Sequence, residues 1–255
     1  MSQADKARYF KTLHIPGNPL VLYNIWDAGS AKTVASAGAQ ALATGSWSVA
    51  AAQGYGDGQA IPLDFALQII TRITTSTDLP VSVDFEGGYA ADPAELAANT
   101  TRLITAGAIG INFEDQIVGG TGLHPVTDQV QRIKAIRQAA DASGVPLFIN
   151  ARTDLFLKTQ TNQAALVAEA LARQTAYAQA GADGFFIPGL ADNALIAEIC
   201  QASSLPVNVM MVGNHTSLPT AARLRAARAS FGPGPYRLAQ EDLKARLASL
   251  SPPQS

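Results

Sequence analysis

The sequence predicts a (β/α)8 TIM-type barrel, folded as one domain over residues 1–255 with a short disordered tail at PPQS. Three observations carry this expectation. Eight short apolar runs alternate with longer stretches of helical period, three of the joints before a run read Ala-Gly-Ala, and 255 residues with 47% hydrophobic content suit one large core better than two modules. An open doubly wound sheet is the competing arrangement, disfavoured because no GxGxxG follows the first run.

In chain order the strand-like runs are Leu20–Ile25, Gln40–Ser46, Pro80–Glu86, Ile109–Asp115, Pro146–Arg152, Asp183–Pro188, Pro206–Met211 and Arg228–Gly234. Their β-branched and aromatic content and their lengths are those of buried parallel strands. Between them lie helix-period segments at 62–74, 92–107, 126–144 and 162–181, with Asp92, Thr127 and Asn162 placed near their starts as caps. In AGAQAL, AGAIGI and AGADGF the glycine ends a helix in a left-handed turn and the alanine leads into the strand. QEDLKARLASL near the end is a further helix candidate.

Composition narrows the function classes. A net charge of −2 and a pI near 5.9 leave no electrostatic footprint for nucleic acid. No apolar run reaches the ~18 residues needed to cross a bilayer, and the polar start MSQADKARYFKTL has no signal-like core, so a cytoplasmic protein without membrane partners is expected. The one cysteine, Cys200 in ALIAEICQA, reads as helix packing in a reducing compartment.

Three runs end alike, in PVSVDFEGG, IGINFEDQ and PLFINARTD, and in parallel α/β proteins ligands sit at the carboxyl ends of strands. Asp84, Glu86, Glu114, Asp115, Arg152 and Asp154 are therefore candidates for one site. Asp84 and Glu86, two residues apart, would share a strand face. Each acid alone could equally cap a strand or pair with a barrel arginine. Several like charges at one mouth need a neutralising partner, and oxygen ligands without nearby Cys or His favour Mg²⁺, with Mn²⁺ as the substitute, over zinc.

ATGSWSVAAAQGYGDG, VSVDFEGGYA, GINFEDQ, INARTD, GADGFFIPGL and PVNVM, in this order and spacing, resemble the isocitrate lyase and phosphoenolpyruvate mutase superfamily from about Asn24 to Arg237. The resemblance implies a Mg²⁺-dependent barrel enzyme acting on 2-oxo acids and their C–C or P–C adducts. It places Asp84 at the metal and the substrate, with Asp57, Glu86 and Glu114 around the ion mostly through its waters. It assigns the substrate carboxylate to the turn Gly45-Ser46-Trp47 and to Arg152, and it also implies a homodimer or homotetramer that exchanges its C-terminal helix between subunits.

Departures from the family pattern qualify that activity. Family lyases carry a Lys-Lys-Cys-Gly-His type loop after the fourth strand; here the segment is QIVGGTGLHPV, with neither lysine nor cysteine. Gly119, Gly120 and Gly122 make it a plausible lid, and His124 could exchange a proton near neutral pH. Pro188 stands where the mutase branch tends to have a histidine, and Gly88-Tyr89-Ala90 replaces Gly-Tyr-Gly. His215 is a weaker mouth candidate, and FGPGP is read as a structural turn. The expected reaction is cleavage of a C–C bond next to the keto group by retro-aldol or decarboxylation chemistry, with Arg152, Glu114 and His124 as catalytic residues. P–C chemistry on a phosphonopyruvate-like compound and non-catalytic binding of a 2-oxo acid are the alternatives.

Overall fold

A computed structural model of the protein describes residues 1–158, 162–212 and 217–250. All eight expected strands form: β1 (Leu20–Leu22), β2 (Leu42–Ala43), β3 (Val81–Asp84), β4 (Gly110–Glu114), β5 (Phe148–Arg152), β6 (Gly184–Phe186), β7 (Val207–Met210) and β8 (Arg228–Ser230). They pair in parallel in the order β1-β8-β7-β6-β5-β4-β3-β2. A parallel bridge between Ile25 and Thr44 brings the two ends of the sheet together, the Ile25 N–H donating to the Ala43 carbonyl at 2.9 Å. The architecture is the (β/α)8 barrel, with no open sheet edge of the doubly wound kind.

Around the barrel run α1 (Gln3–Thr12), α2 (Ala28–Ser36), α3 (Ser46–Ala52), α4 (Leu63–Thr74), α5 (Pro93–Thr105), α6 (Val126–Ala142), α7 (Leu155–Lys158), α8 (Val167–Gln179), α9 (Asn193–Ala202), α10 (Leu218–Arg223) and α11 (Gly234–Leu250). Asp92 caps α5, accepting from the Ala94 and Glu95 N–H groups. The other two expected caps are corrected. Thr127 lies inside α6, whose N-cap is Pro125, and Asn162 sits at φ +55° before a 3-10 turn (Gln163–Leu166) with no side-chain cap bond. Gly38, Gly107 and Gly181 adopt φ of +94°, +96° and +104°, the left-handed helix ends expected of the Gly-Ala joints.

The polar N-terminus folds as α1, set by a capping box between Ser2 and Asp5, and closes the amino-terminal end of the barrel. Its Phe10 meets Phe148 edge-on at 5.4 Å, and His14 stacks on Phe148 at 4.1 Å. Strand alternation then divides the residues into two layers. On β4, Ile111 and Phe113 are fully buried in the main apolar cluster, where truncating the Phe113 ring would cost about 3–5 kcal/mol. Gly110, Asn112 and Glu114 take the alternate positions, continued round the ring by Asn150, Asn208, Arg228 and Ser230. The inside of this barrel is therefore polar. Among the described residues no helix is long and apolar enough to cross a membrane.

Candidate active site

Strand register sets the neighbours at the carboxyl-terminal mouth: Asp84 pairs with Asn112 across β3 and β4, and Glu114 with Arg152 across β4 and β5. Asp84 Oδ2 accepts from the Ser46 N–H at 3.0 Å and the Ser46 hydroxyl at 2.7 Å, while Oδ1 accepts from Asn112 Nδ2 at 3.2 Å. Gly45 follows β2 as the N-cap of α3, so the expected turn Gly45-Ser46-Trp47 is the opening of a helix. The Ser46 N–H, expected to face a substrate, is engaged by Asp84.

Glu86 lies beyond the end of β3 at φ +51°, followed by Gly88 at +76° and Tyr89 at +57°. This left-handed turn, rather than strand alternation, brings Glu86 beside Asp84, and Glu86 Oε2 accepts from the Gln59 N–H at 2.9 Å. Arg152 Nε and Nη2 donate to the two oxygens of Asp154 at 2.6 and 2.9 Å. Its Nη1 lies 3.0 Å from Glu114 Oε2 and 4.0 Å from Asp84 Oδ1. These groups line a cavity of about 380 Å³, within the range of small-molecule sites, and Asp57, Gly45, Ser46 and Trp47 also lie on its wall.

Burial and the proximity of Asp84 and Asp57 push the Glu86 carboxyl up to about 8. Burial also lifts Glu114 to about 8, and repulsion from Asp154, Asp84 and Glu86 adds to it, against the opposing pull of Arg152. Burial alone would weaken the Arg152 guanidinium as an acid-holding cation, but Glu114 and Asp154 keep it more firmly protonated than usual. The mouth thus holds more carboxylate than its own arginine neutralises.

Two expected site residues lie elsewhere. Asp115 faces away from the cavity, its Oδ2 accepting from the Tyr177 hydroxyl at 2.8 Å and Arg173 Nη1 at 3.2 Å, and its Oδ1 from the Asp154 N–H at 3.0 Å. It braces the β4 and β5 ends from behind, because the residue after Glu114 points to the opposite side. His124 does not reach the cavity either; it lines a separate pocket with Gln59, Tyr89 and Arg132. Its N–H donates to the Asp115 carbonyl at 2.7 Å, and burial together with Arg132 lowers its pKa. His215 lies outside the described residues, as does the PPQS tail. Cys200 is half-buried on α9 and pushed up to about 12 by burial, in keeping with packing.

Four residues that the sequence reading passed over join the site. Asn24 Oδ1 accepts from the Phe231 and Gly232 N–H groups at 2.8 and 2.9 Å, fixing the FGPGP turn, whose Gly232 and Pro233 line the cavity. Asn112 Oδ1 accepts from Asn150 Nδ2 at 2.9 Å and from Arg228 Nη2 at 3.0 Å, so its amide nitrogen must face Asp84. Arg228 is fully buried, and Arg237 lies on the cavity wall. Position in GINFE, two before Glu114, was a legible signal for Asn112; Arg228 and Arg237 had none.

Among the described residues no three acidic, histidine or cysteine groups are gathered as a ready-made metal cage. The oxygen donors of Asp84, Asp57, Glu86 and Glu114 on one wall fit Mg²⁺, which binds through one or two carboxylates and keeps several waters. The donor set is all oxygen, the hard ligands that Mg²⁺ takes.

Comparison with known proteins agrees with this geometry. The family model for phosphoenolpyruvate phosphomutase matches residues 10–251. The 2-methylisocitrate lyase of Escherichia coli (strain K12) is 30% identical over 239 residues, covering 91% of this chain and 78% of that one. A crystal structure from Burkholderia cenocepacia J2315, provisionally named a phosphonomutase, is 50% identical, covers 96% of this chain and 99% of that one, and superposes with a TM-score of 0.93. A crystal structure of 2,3-dimethylmalate lyase is 26% identical, covers 98% and 90%, and has a TM-score of 0.81.

Proposed function

The chain belongs to the phosphoenolpyruvate phosphomutase family, within the isocitrate lyase and phosphoenolpyruvate mutase superfamily of enzymes, and on that premise we propose that it is a Mg²⁺-dependent carbon–carbon lyase acting on a 2-oxo acid. The observation that carries the proposal is the meeting of Asp84, Glu86, Glu114 and Arg152 around one cavity at the strand ends. Pro188, on the cavity wall at the position where the resemblance has the mutase branch carry a histidine, favours C–C over phosphoryl chemistry in this reading.

In this reading Asp84, together with Asp57, Glu86 and Glu114, would hold the ion. When bound, Mg²⁺ supplies electrophilic stabilisation for the negative charge that gathers on the keto oxygen as the adjacent bond breaks. Ser46 and Asn112 keep Asp84 turned to the mouth by donating to both of its oxygens. Arg152 keeps unused N–H groups beside those given to Asp154 and Glu114, and these take the substrate carboxylate. With His124 outside the cavity, Glu114 is the group placed to hold and return the proton.

Purified protein incubated with 2-oxo acids and 2-hydroxy di- and tricarboxylates, with Mg²⁺ and then EDTA, and followed by NMR, tests the reading. Metal-dependent cleavage that disappears in Asp84→Ala is expected; full turnover in that variant would sink the assignment. A second reading, P–C mutase or hydrolase chemistry, draws on the 50% identical relative with its provisional phosphonomutase name. Turnover of phosphonopyruvate, to phosphoenolpyruvate by a mutase or with water to pyruvate and phosphate by a hydrolase, would establish it instead. Binding without product over long incubation would make the protein a 2-oxo acid receptor.

A further inference from the structure

Arg237, in the first turn of α11, is a cation on the cavity wall with a different standing from Arg152. Arg152 is held by its own acids, with three of its N–H groups directed at Asp154 and Glu114. Among the described residues no carboxylate lies within ion-pair distance of Arg237. Its guanidinium carbon sits 4.7 Å over the Trp47 ring, and that ring meets Tyr236 edge-on at 5.9 Å, which in turn meets Trp26 edge-on at 5.2 Å. Stacking engages the face of the guanidinium and leaves its in-plane N–H fork free, while the aromatic series holds the plane in place.

The backbone of the same rim cannot serve an anion. Pro233 and Pro235 have no N–H, the Phe231 and Gly232 N–H groups are taken by Asn24, and the Gly234 N–H donates to the Phe231 carbonyl. The cavity, at about 380 Å³, lies within the range of small-molecule sites.

We propose that Arg237 is the specificity-determining residue that reads the distal anionic group of a 2-oxo or 2-hydroxy acid anchored at Arg152, the group lying toward Trp47. The inference rests on the cavity being a 2-oxo acid site. A carboxylate and a phosphono group share the required charge, and the choice of probes separates them.

The test is Mg²⁺-dependent binding, measured by calorimetry, of oxalate and pyruvate, which have no distal group, and of oxaloacetate and phosphonopyruvate, which do. Arg237→Gln should weaken whichever of oxaloacetate and phosphonopyruvate the wild type prefers by about tenfold or more and leave oxalate within about twofold. Arg237→Lys should recover part of the loss. In turnover the deficit should fall on KM for that compound. Equal loss for oxalate and that compound, or no loss for either oxaloacetate or phosphonopyruvate, overturns the role of Arg237 while leaving the 2-oxo acid site standing. A wild type that binds none of the four, oxalate included, removes the 2-oxo acid site itself and the inference with it.

Discussion

Glu86 and Glu114 govern how the metal-free protein should respond to pH. Both carboxyls stand near 8 in the folded chain against a usual 4.5, so the folded state keeps protons that the unfolded state has released. Their stabilising contribution is complete below about 4.5 and is lost as pH rises through 8. His14 acts in the opposite sense: burial and Arg228 lower it from 6.5 to about 3, so its contribution is present above 6.5 and is lost as pH falls toward 3. Between about 6.5 and 8, among the described residues, the two raised glutamates give a falling slope that His14 does not oppose. Thermal unfolding in EDTA should show a midpoint that falls across that window, and Mg²⁺ should raise the midpoint more at pH 8 than at pH 6.5, because the ion needs the ionised form. A midpoint that climbs across the window in EDTA would contradict the placement of these two acids. At this scale the sequence was a good guide to the acids and a poor one to their partners. Asp84, Glu114 and Arg152 were legible because they end recognisable strands, whereas Arg228 was not, since a polar residue inside a short strand run looks the same whether it faces water or the axis of a barrel.

The turn from Glu86 to Tyr89 is the element that converts a strand end into a site. Glu86 was expected at the mouth on strand alternation, and it arrives there by a different route, through three left-handed residues in four positions. That route depends on Gly88: at φ +76° a side chain is strained, and an added Cβ would overlap Leu96 Cδ1 and press on the Phe113 ring. Gly88→Ala should therefore destabilise the fold by about 1–3 kcal/mol in chemical denaturation and weaken Mg²⁺ binding, as the turn carrying Glu86 shifts. Unchanged stability in that variant would show that the turn tolerates a side chain and does not position Glu86 rigidly. Strands and the longer helices were readable from period and Gly-Ala joints, yet α3, α7 and α10 are too short to show a period. The loop holding His124 could not be placed at all from sequence, because a hairpin with Gly119 and Gly122 at positive φ can aim its end in many directions.

α11 sets the question for the whole molecule. It runs for 17 residues, about 25 Å, yet buries only Pro235. Leu243, Leu247 and Leu250 recur at four- and three-residue intervals on one face and are 63%, 68% and 81% exposed. A helix of this length is marginal alone in water, and its stability must come from packing that the single chain does not provide. We propose that a second copy of the chain covers this face, as the family resemblance implies. The first turn of the same helix carries Arg237, so association and the order of the cavity rim are coupled through one rigid element. Light scattering should give a mass at least twice the 26.5 kDa of the chain, and Leu243→Glu with Leu247→Glu should reduce it to one chain. The dissociated variant should also bind the preferred ligand with a distal anionic group more weakly while keeping its affinity for oxalate, since Arg152 and the acids stand on strands that α11 does not support. A wild type that scatters as a single chain at micromolar concentration would sink the interface, and a dissociated variant with unaltered affinity for that ligand would uncouple it from Arg237.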